Sequence, residues 1–153
     1  MATLAVSAPE SFRSVESLLG GRRVLRAIPH SAFDWIETIR RGIPAAAVES
    51  LRKAIKLSQP EIARALGIPE RTLARRKREG VLSSDESAKL LRLARAVGRA
   101  NQVFEAPEAA LDWLKSPNSA LAGKTPISLL DTEIGAESVL DTLGRIEHDR
   151  MTT

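Results

Sequence analysis

The chain has 153 residues, 43% of them hydrophobic and 27% charged, with a formal net charge of +4. That suits one packed domain, or two small helical modules sharing a core. The absence of cysteine excludes a disulfide framework, thiol catalysis and a Cys-ligated zinc site. No basic start followed by an apolar run marks a signal peptide, and no run approaches the roughly 20 apolar residues of a membrane span. The expectation is therefore a cytoplasmic protein without membrane contact.

The aromatic residues are Trp35, Trp113, Phe12, Phe33 and Phe104, with no tyrosine. The core must come mainly from Ala, Leu, Ile and Val, which suits closely packed helices. Charge is unevenly spread. Residues 1–44 hold six Lys/Arg and four Asp/Glu, residues 45–100 thirteen and six, and residues 101–153 four and nine. A basic centre beside an acidic final third suggests two tasks, one of them facing phosphate.

In chain order, Met1–Ser11 reads as a frayed terminus. Phe12–Leu19 reads as a short helix stopped by Gly20 and Gly21, and Arg22–Pro29 is compatible with either helix or extended chain. Ser31–Arg41 is a helix capped by Ser31 with Asp34 at N3, with Phe33, Ile36 and Ile39, and Trp35 beside them, as its apolar face and Gly42 as its stop. Pro44 is placed to open a helix to about Lys56, with Val48, Leu51 and Ile55 inward. Ser58-Gln59-Pro60-Glu61 is a capping box opening a helix to about Leu66. Pro69 opens another, to about Arg78. Ser83-Ser84-Asp85-Glu86 is a second capping box, opening a long helix to about Phe104 with Leu90, Ala94, Val97 and Phe104 as its buried stripe.

Beyond Glu105 the composition changes. Pro107–Lys115 is a helix carrying Trp113, Ser116–Lys124 a turn-rich loop, and Pro126 the start of a short helix through Leu130. Ala136–Glu147, after Gly135, is the last helix, with Val139, Leu140, Leu143 and Ile146 on one face. No segment reads as a strand, so the fold class is all-α. The organisation is an N-terminal helical segment over 1–43 suited to dimerisation, a helix-turn-helix domain over 44–104 and a small helical domain over 105–153.

The helix-turn-helix rests on Gln59–Arg78. Two helices crossing steeply over a short turn need a small residue at the crossing, Ala63, and one tolerant of positive φ, Gly67. They also need an apolar lock, which Ile62, Leu66, Ile68 and Leu73 supply. The second helix then reads DNA. Arg71, Thr72 and Arg75 are the expected base readers, and Gln59, Lys77 and Arg78 the phosphate contacts. Arg76 stands at a position that is commonly apolar, which points to a tilted recognition helix or one partly engaged with protein. Single units of this kind read few bases and usually act in pairs, so a homodimer on operator DNA is expected.

The segments GIPERTLARRKREG (67–80), LSSDESAKLLRLARA (82–96), WLKSPNSALAGKTPISLLDTEIGAESV (113–139) and LGRIEHD (143–149) resemble the Xre/MbcA/ParS antitoxin family over about two-thirds of the chain. The resemblance implies a Cro/Xre-like helix-turn-helix followed by a C-terminal toxin-binding domain. It also implies a RES-domain partner toxin that degrades NAD and is blocked at its active site, and autoregulation through promoter DNA. His148-Asp149 stands where the family pattern often has His-Gly. On this basis the toxin-binding residues are Asn118, Leu121, Lys124, Arg145, Ile146, Glu147 and His148. The tail from Gly144 to Arg150 ends a helix with mixed charges that no core demands, so Glu147 or Arg145 is suited to entering a dinucleotide pocket.

Most other motif residues have structural explanations. Trp113 reads as a core anchor, Pro117-Asn118 as a turn, and Gly123 and Gly135 as backbone requirements. His30 and His148 are surface or capping residues, since a metal site needs more donors. Gly20-Gly21 lacks the Lys and Ser/Thr of a phosphate loop, and no Ser-His-acid set can be placed. The chain is expected to have no enzyme activity and no cofactor. One rival reading is a stand-alone transcription regulator whose C-terminal domain senses a ligand in a pocket lined by Ser116–Lys124; another is a pure protein-binding module whose helix-turn-helix no longer meets DNA.

Overall fold

The computed structural model describes residues 14–152. The expectation for Met1–Ser11, and Phe12, lie outside them. Among the described residues the regular elements are α1 (Val15–Leu18), α2 (Arg22–Leu25), α3 (Ala32–Arg41), α4 (Ala46–Ala54), α5 (Gln59–Leu66), α6 (Glu70–Glu79), α7 (Ser84–Phe104), α8 (Pro107–Leu114), two 3-10 turns at Ser119–Leu121 and Pro126–Leu129, and α9 (Glu133–Thr152). The fold is all-α, as composition and periodicity indicated, and none of these helices is long and apolar enough to cross a membrane.

The organising element is α7. Its Leu90, Leu91, Leu93, Ala94, Ala96, Val97, Gly98, Ala100 and Val103 are all buried, well beyond the single stripe expected from the sequence. A helix buried over most of its circumference, with Lys89, Arg92, Arg95 and Arg99 along its remaining stripe, belongs in the middle of a fold. Helices α1, α3, α5, α8 and α9 all pack on it. The small residues Ala94, Ala96, Gly98 and Ala100 keep its girth low. One continuous cluster of buried side chains runs from Val15 to Leu143, so the basic middle of the chain and its acidic end hang on the same core.

Three local expectations are corrected. In α3 the buried residues are Trp35 (2% exposed) and Thr38, whereas Phe33 (63%) and Ile36 (41%) face outward. Trp35 carries the largest apolar area on the helix and dictates its rotation. Thr38 can follow it inside because its hydroxyl donates to the Asp34 carbonyl at 2.8 Å. Next, α4 begins at Ala46 rather than at Pro44 and ends at Ala54, short of Lys56. Pro44 instead lies in an isolated antiparallel bridge with Val81, flanked by Ala45 N–H to the Gly80 carbonyl (3.0 Å) and Leu82 N–H to the Ile43 carbonyl (2.9 Å). This bridge ties the start of α4 to the end of α6.

Finally, α9 starts at Glu133, with Gly135 inside its first turn instead of ahead of it. A Cβ at Gly135 would collide with the Leu129 carbonyl oxygen, so the residue is set by the close approach of α9 to the preceding 3-10 turn.

Candidate functional site

The α5–turn–α6 unit is built from local signals. Ser58 Oγ accepts the Glu61 N–H (3.2 Å) while Glu61 Oε1 accepts the Ser58 N–H (2.8 Å), closing the capping box at the start of α5. These bonds, the backbone one foremost, hold the Glu61 carboxyl below the usual carboxylate range. The helix stops at Gly67, whose φ of 69° and ψ of 35° are left-handed. Ile68 N–H then bonds the Ala63 carbonyl at 3.0 Å and the chain turns into α6. Ile62, Ala63, Leu66 and Ile68 are buried, as the motif requires.

Helix α6 buries none of its own residues, and Leu73, partly buried, is its apolar hold on the core. Arg71, Arg75 and Arg78 recur at intervals of four and three and so share one face, opposite Leu73. All three are exposed. Among the described residues none of them is tied into an ion pair. The face is a row of unneutralised guanidiniums, suited to base edges and phosphates. Thr72 is half-buried beside it.

The remaining expected DNA residues are placed differently. Lys77 is exposed but lies around the helix from the arginine row. It lines a groove of about 320 Å³ between α4 and α6, together with Glu49, Gln59 and Leu73. Gln59 Nε2 donates to Glu49 Oε1 at 2.6 Å, so its amide is oriented by its own chain. Glu49 is also gripped by Arg52 at 2.9 Å. Its carboxyl is lowered to about 2, chiefly by the Arg52 hydrogen bond, with burial opposing and Gln59 assisting. Arg52 in addition donates Nη1 to the Leu57 carbonyl, fastening the α4–α5 corner.

Arg76 points away from the outward row and into protein. Its Nε bonds Glu86 Oε1 at 2.7 Å and its Nη1 bonds Glu79 Oε1 at 2.9 Å. The sequence pointed to a tilted recognition helix or one partly engaged with protein, and the side chain at that position is tied to two carboxylates that were not legible.

In the C-terminal part, Asn118 organises its own loop. Its Oδ1 accepts the Ala120 N–H (2.8 Å), its backbone carbonyl accepts those of Leu121 and Gly123, and its N–H reaches the Lys124 carbonyl (3.0 Å). Leu121 is buried and belongs to the core, and it also lines the depression beside α9. Lys124 is exposed. Trp113 is half-buried, not a full core anchor, and rests against Phe104 with ring centroids 5.7 Å apart.

The residues of α9 divide between two faces. Ile146 packs against the core. Glu147 turns toward α7, where Arg99 grips both its oxygens at 2.7 and 3.1 Å, and this bond holds its carboxyl below the usual range. Arg150 reaches the Val103 carbonyl at 2.9 Å. The expectation that nothing in the fold demands the tail is therefore corrected. These contacts fasten it, and Glu147 is committed to its own chain.

The outer face of α9 carries Ile134 (77% exposed), Ser138, Asp141 and Arg145. With Ala120, Ala122 and Leu129 the last three line a shallow depression, so the loop and Arg145 come together while Glu147 faces away. His148 is exposed near the end of the helix. Asp141 was missed by sequence reasoning, although its spacing of four from Arg145 was visible. A groove of about 500 Å³ lies elsewhere, between α5 and the C-terminal part, lined by Leu57, Glu61, Arg64, Lys115, Ile127 and Asp131. Residues 116–124 do not line it; their Ala120 and Ala122 line the shallow depression beside α9 instead. Among the described residues no cluster of His, Asp or Glu suits a metal ion.

Comparison with known proteins agrees with this two-part geometry. Residues 34–95 match the model of the antitoxin Xre-like helix-turn-helix domain, and residues 99–148 that of the antitoxin Xre/MbcA/ParS C-terminal toxin-binding domain. The chain is 34% identical to an "Antitoxin Xre" of Yersinia enterocolitica over 74% of this chain and 78% of that protein. It is also 34% identical to an "Antitoxin Xre" of Photorhabdus laumondii, over 72% and 76% respectively. A "Prs ADP-ribosylating antitoxin" of a Sphingobium species is 31% identical over 76% of this chain and 80% of its own length. The two matches meet within α7, between residues 95 and 99, and the chain belongs to the Xre/MbcA/ParS family of antitoxins.

Proposed function

We propose that this antitoxin neutralises a RES-domain, NAD-consuming toxin by covering its active site, and represses its own operon as a homodimer on promoter DNA. The observation that carries the reading is the division of exposed charge. The free arginine row of α6 faces one way, and the loop 116–124 with the outer face of α9 offers a mixed apolar and charged surface suited to protein. The name of the Sphingobium relative links it to ADP-ribosylation of Prs. ADP-ribosyl transfer consumes NAD, the cofactor that the resemblance assigns to RES-domain toxins.

The toxin contact is best supported at Lys124, Asp141 and Arg145, with Asn118 shaping the loop. Arg145, exposed beside the depression, is better placed than Glu147 to enter a dinucleotide pocket. The base-reading role falls to Arg71 and Arg75, with Arg78 on the same row at phosphate. Phe33 and Ile36, exposed on α3, suit the dimer contact.

The test is co-expression with the product of the adjacent reading frame. The pair should co-purify, cellular NAD and growth should recover, and the complex should shift upstream DNA. Failure of an R145E/D141R variant to co-purify while it still shifts that DNA supports the surface assigned. Recovery of growth without any complex removes the proposal.

A further inference from the structure

Helix α6 is held to the body of the protein by unusually little. It buries no residue completely, Leu73 is its apolar contact, and its ends are fixed by the Gly67 turn and the Pro44–Val81 bridge. Between those ends a helix attached along one thin line is free to roll, and a roll moves every side chain of its outer face. Reading bases by paired hydrogen bonds tolerates little of that. Something must set the rotation, and Arg76, three residues after Leu73 and so on the same face, is hydrogen-bonded to another helix.

Arg76 is forked between two carboxylates. Its Nε meets Glu86 Oε1 at 2.7 Å and its Nη1 meets Glu79 Oε1 at 2.9 Å. The Glu86 contact is the well-shielded one, with side chains 23% and 11% exposed. The same Glu86 oxygen also accepts the Ser83 N–H at 2.8 Å, while Glu86 N–H donates to Ser83 Oγ at 3.1 Å. Arg76 is therefore joined to the N-cap of α7, the best-buried helix of the fold. Burial works to raise the Glu86 carboxyl, but Arg76 and the Ser83 bonds outweigh it, so the pair stays ionised at neutral pH.

We infer that Arg76 is a positioning residue for DNA reading: its bond to Glu86 fixes the roll of α6 against the α7 N-cap and aims Arg71, Arg75 and Arg78 outward, while Glu79, on α6 itself, holds the guanidinium in place. It touches no DNA itself. Neutralised by two carboxylates, it adds nothing to the phosphate-facing charge, although by sequence it looks like one more cation of a basic run. The inference rests on reading α6 as the DNA-contacting helix.

The experiment compares the full-length wild type with R76M, R76K, E86Q and the R76M/E86Q pair. Two probes are used: a duplex spanning the protein's own upstream region and a mixed-sequence duplex of equal length, each across a salt series. E86Q keeps a side chain able to accept the Ser83 N–H and thus keeps the cap, so it isolates the ion pair from folding. R76M and E86Q should each lose roughly tenfold in affinity for the upstream duplex, the value of one misaligned Arg–base pair. Affinity for the mixed duplex and the slope of log affinity against log salt should not change. R76K should recover part of the loss, and the double variant should be no worse than either single one.

A role confined to stability would lower the melting temperature without changing the ratio between the two duplexes in folded protein, and that result overturns the inference. So does a salt slope shallower by about 0.9 in R76M, the signature of a lost phosphate contact. If the wild type ignores both duplexes, the DNA-binding reading itself fails, which is a separate outcome.

Discussion

Helices α6 and α9 are both charged surface helices, yet they are attached in opposite ways. Helix α6 buries no residue outright and carries a row of arginines that make no ion pair among the described residues. Helix α9 sinks Ala136, Val139 and Leu143 into the core, and near its end clamps Glu147 onto Arg99 and Arg150 onto the Val103 carbonyl. A helix whose charges are left free is held for what it can still bind. Helix α9 ties Glu147 and Arg150 to its own fold and keeps Asp141 and Arg145 on an outer face shaped by the neighbouring loop. The contrast is between a charge-led surface and a shape-led one, on a common core.

That common core gives the sharpest way to break the comparison. Leu143 is completely buried. Leu143→Ala should cost about 2–5 kcal/mol, as buried leucine truncations do. If both helices depend on the same cluster, the loss appears as one lowered transition, by roughly 4–20 °C for a chain of this size. Circular dichroism and a DNA-shift melt should then move together. Two separate transitions, with the DNA-binding one unmoved, would show that the halves fold independently.

Next in size is the arginine row. R71A/R75A should weaken binding to the upstream duplex by about thirtyfold or more, since each bidentate Arg–guanine pair discriminates by roughly 1–3 kcal/mol. The melting temperature should scarcely move, because both side chains are exposed and unpaired. Toxin rescue should persist. Retained binding in a gel shift would remove α6 from the interface.

The clamp on α9 predicts the converse. R99M should loosen the end of the helix at a cost of about 1 kcal/mol, modest because Glu147 is partly solvated and water screens the pair. Amide exchange should accelerate beyond Thr142 and toxin rescue should weaken, with DNA binding unchanged. E147Q should reproduce the effect. An equal loss of DNA binding would mean that the clamp serves the whole core rather than the toxin-facing end.

How much of this was legible in the sequence follows from distance along the chain. The two capping boxes, the Ser31 cap, the Gly67 turn and the bounds of α5, α6 and α7 came through because their partners lie within four residues. The rotation of α3 did not, because Phe33, Trp35 and Ile36 offer competing faces and only the surface of α7 decides between them. Gly135 looked like a stop signal, since the Leu129 carbonyl pressing on it belongs to another element. The Arg99–Glu147 clamp spans 48 residues and leaves no local trace. Its absence made the tail look unclaimed. Leu121 was legible as apolar, but whether it faces core or partner depends on how the 118–124 loop closes.

The smallest expected effect concerns the polar network behind the recognition helix. Glu49 sits at about 2, well below the ordinary 4.5, through Arg52 and Gln59, and Glu61, Glu86 and Glu147 are lowered by their own partners. A carboxyl lowered in the folded state adds stability that is fully present above its unfolded value and is lost as pH falls toward its folded one. Stability should therefore be flat from pH 7 to about 5 and decline from about 4.5 toward 2. E49Q should remove Glu49's part of that decline, costing about 1 kcal/mol or less at pH 7 because the pair is partly exposed. Thermal melts across this range check it: the variant's curve should run shallower below pH 4.5 and converge on the wild type near pH 2. A variant curve parallel to the wild type throughout would mean that Glu49 acts through shape rather than charge, leaving Gln59 oriented by packing alone.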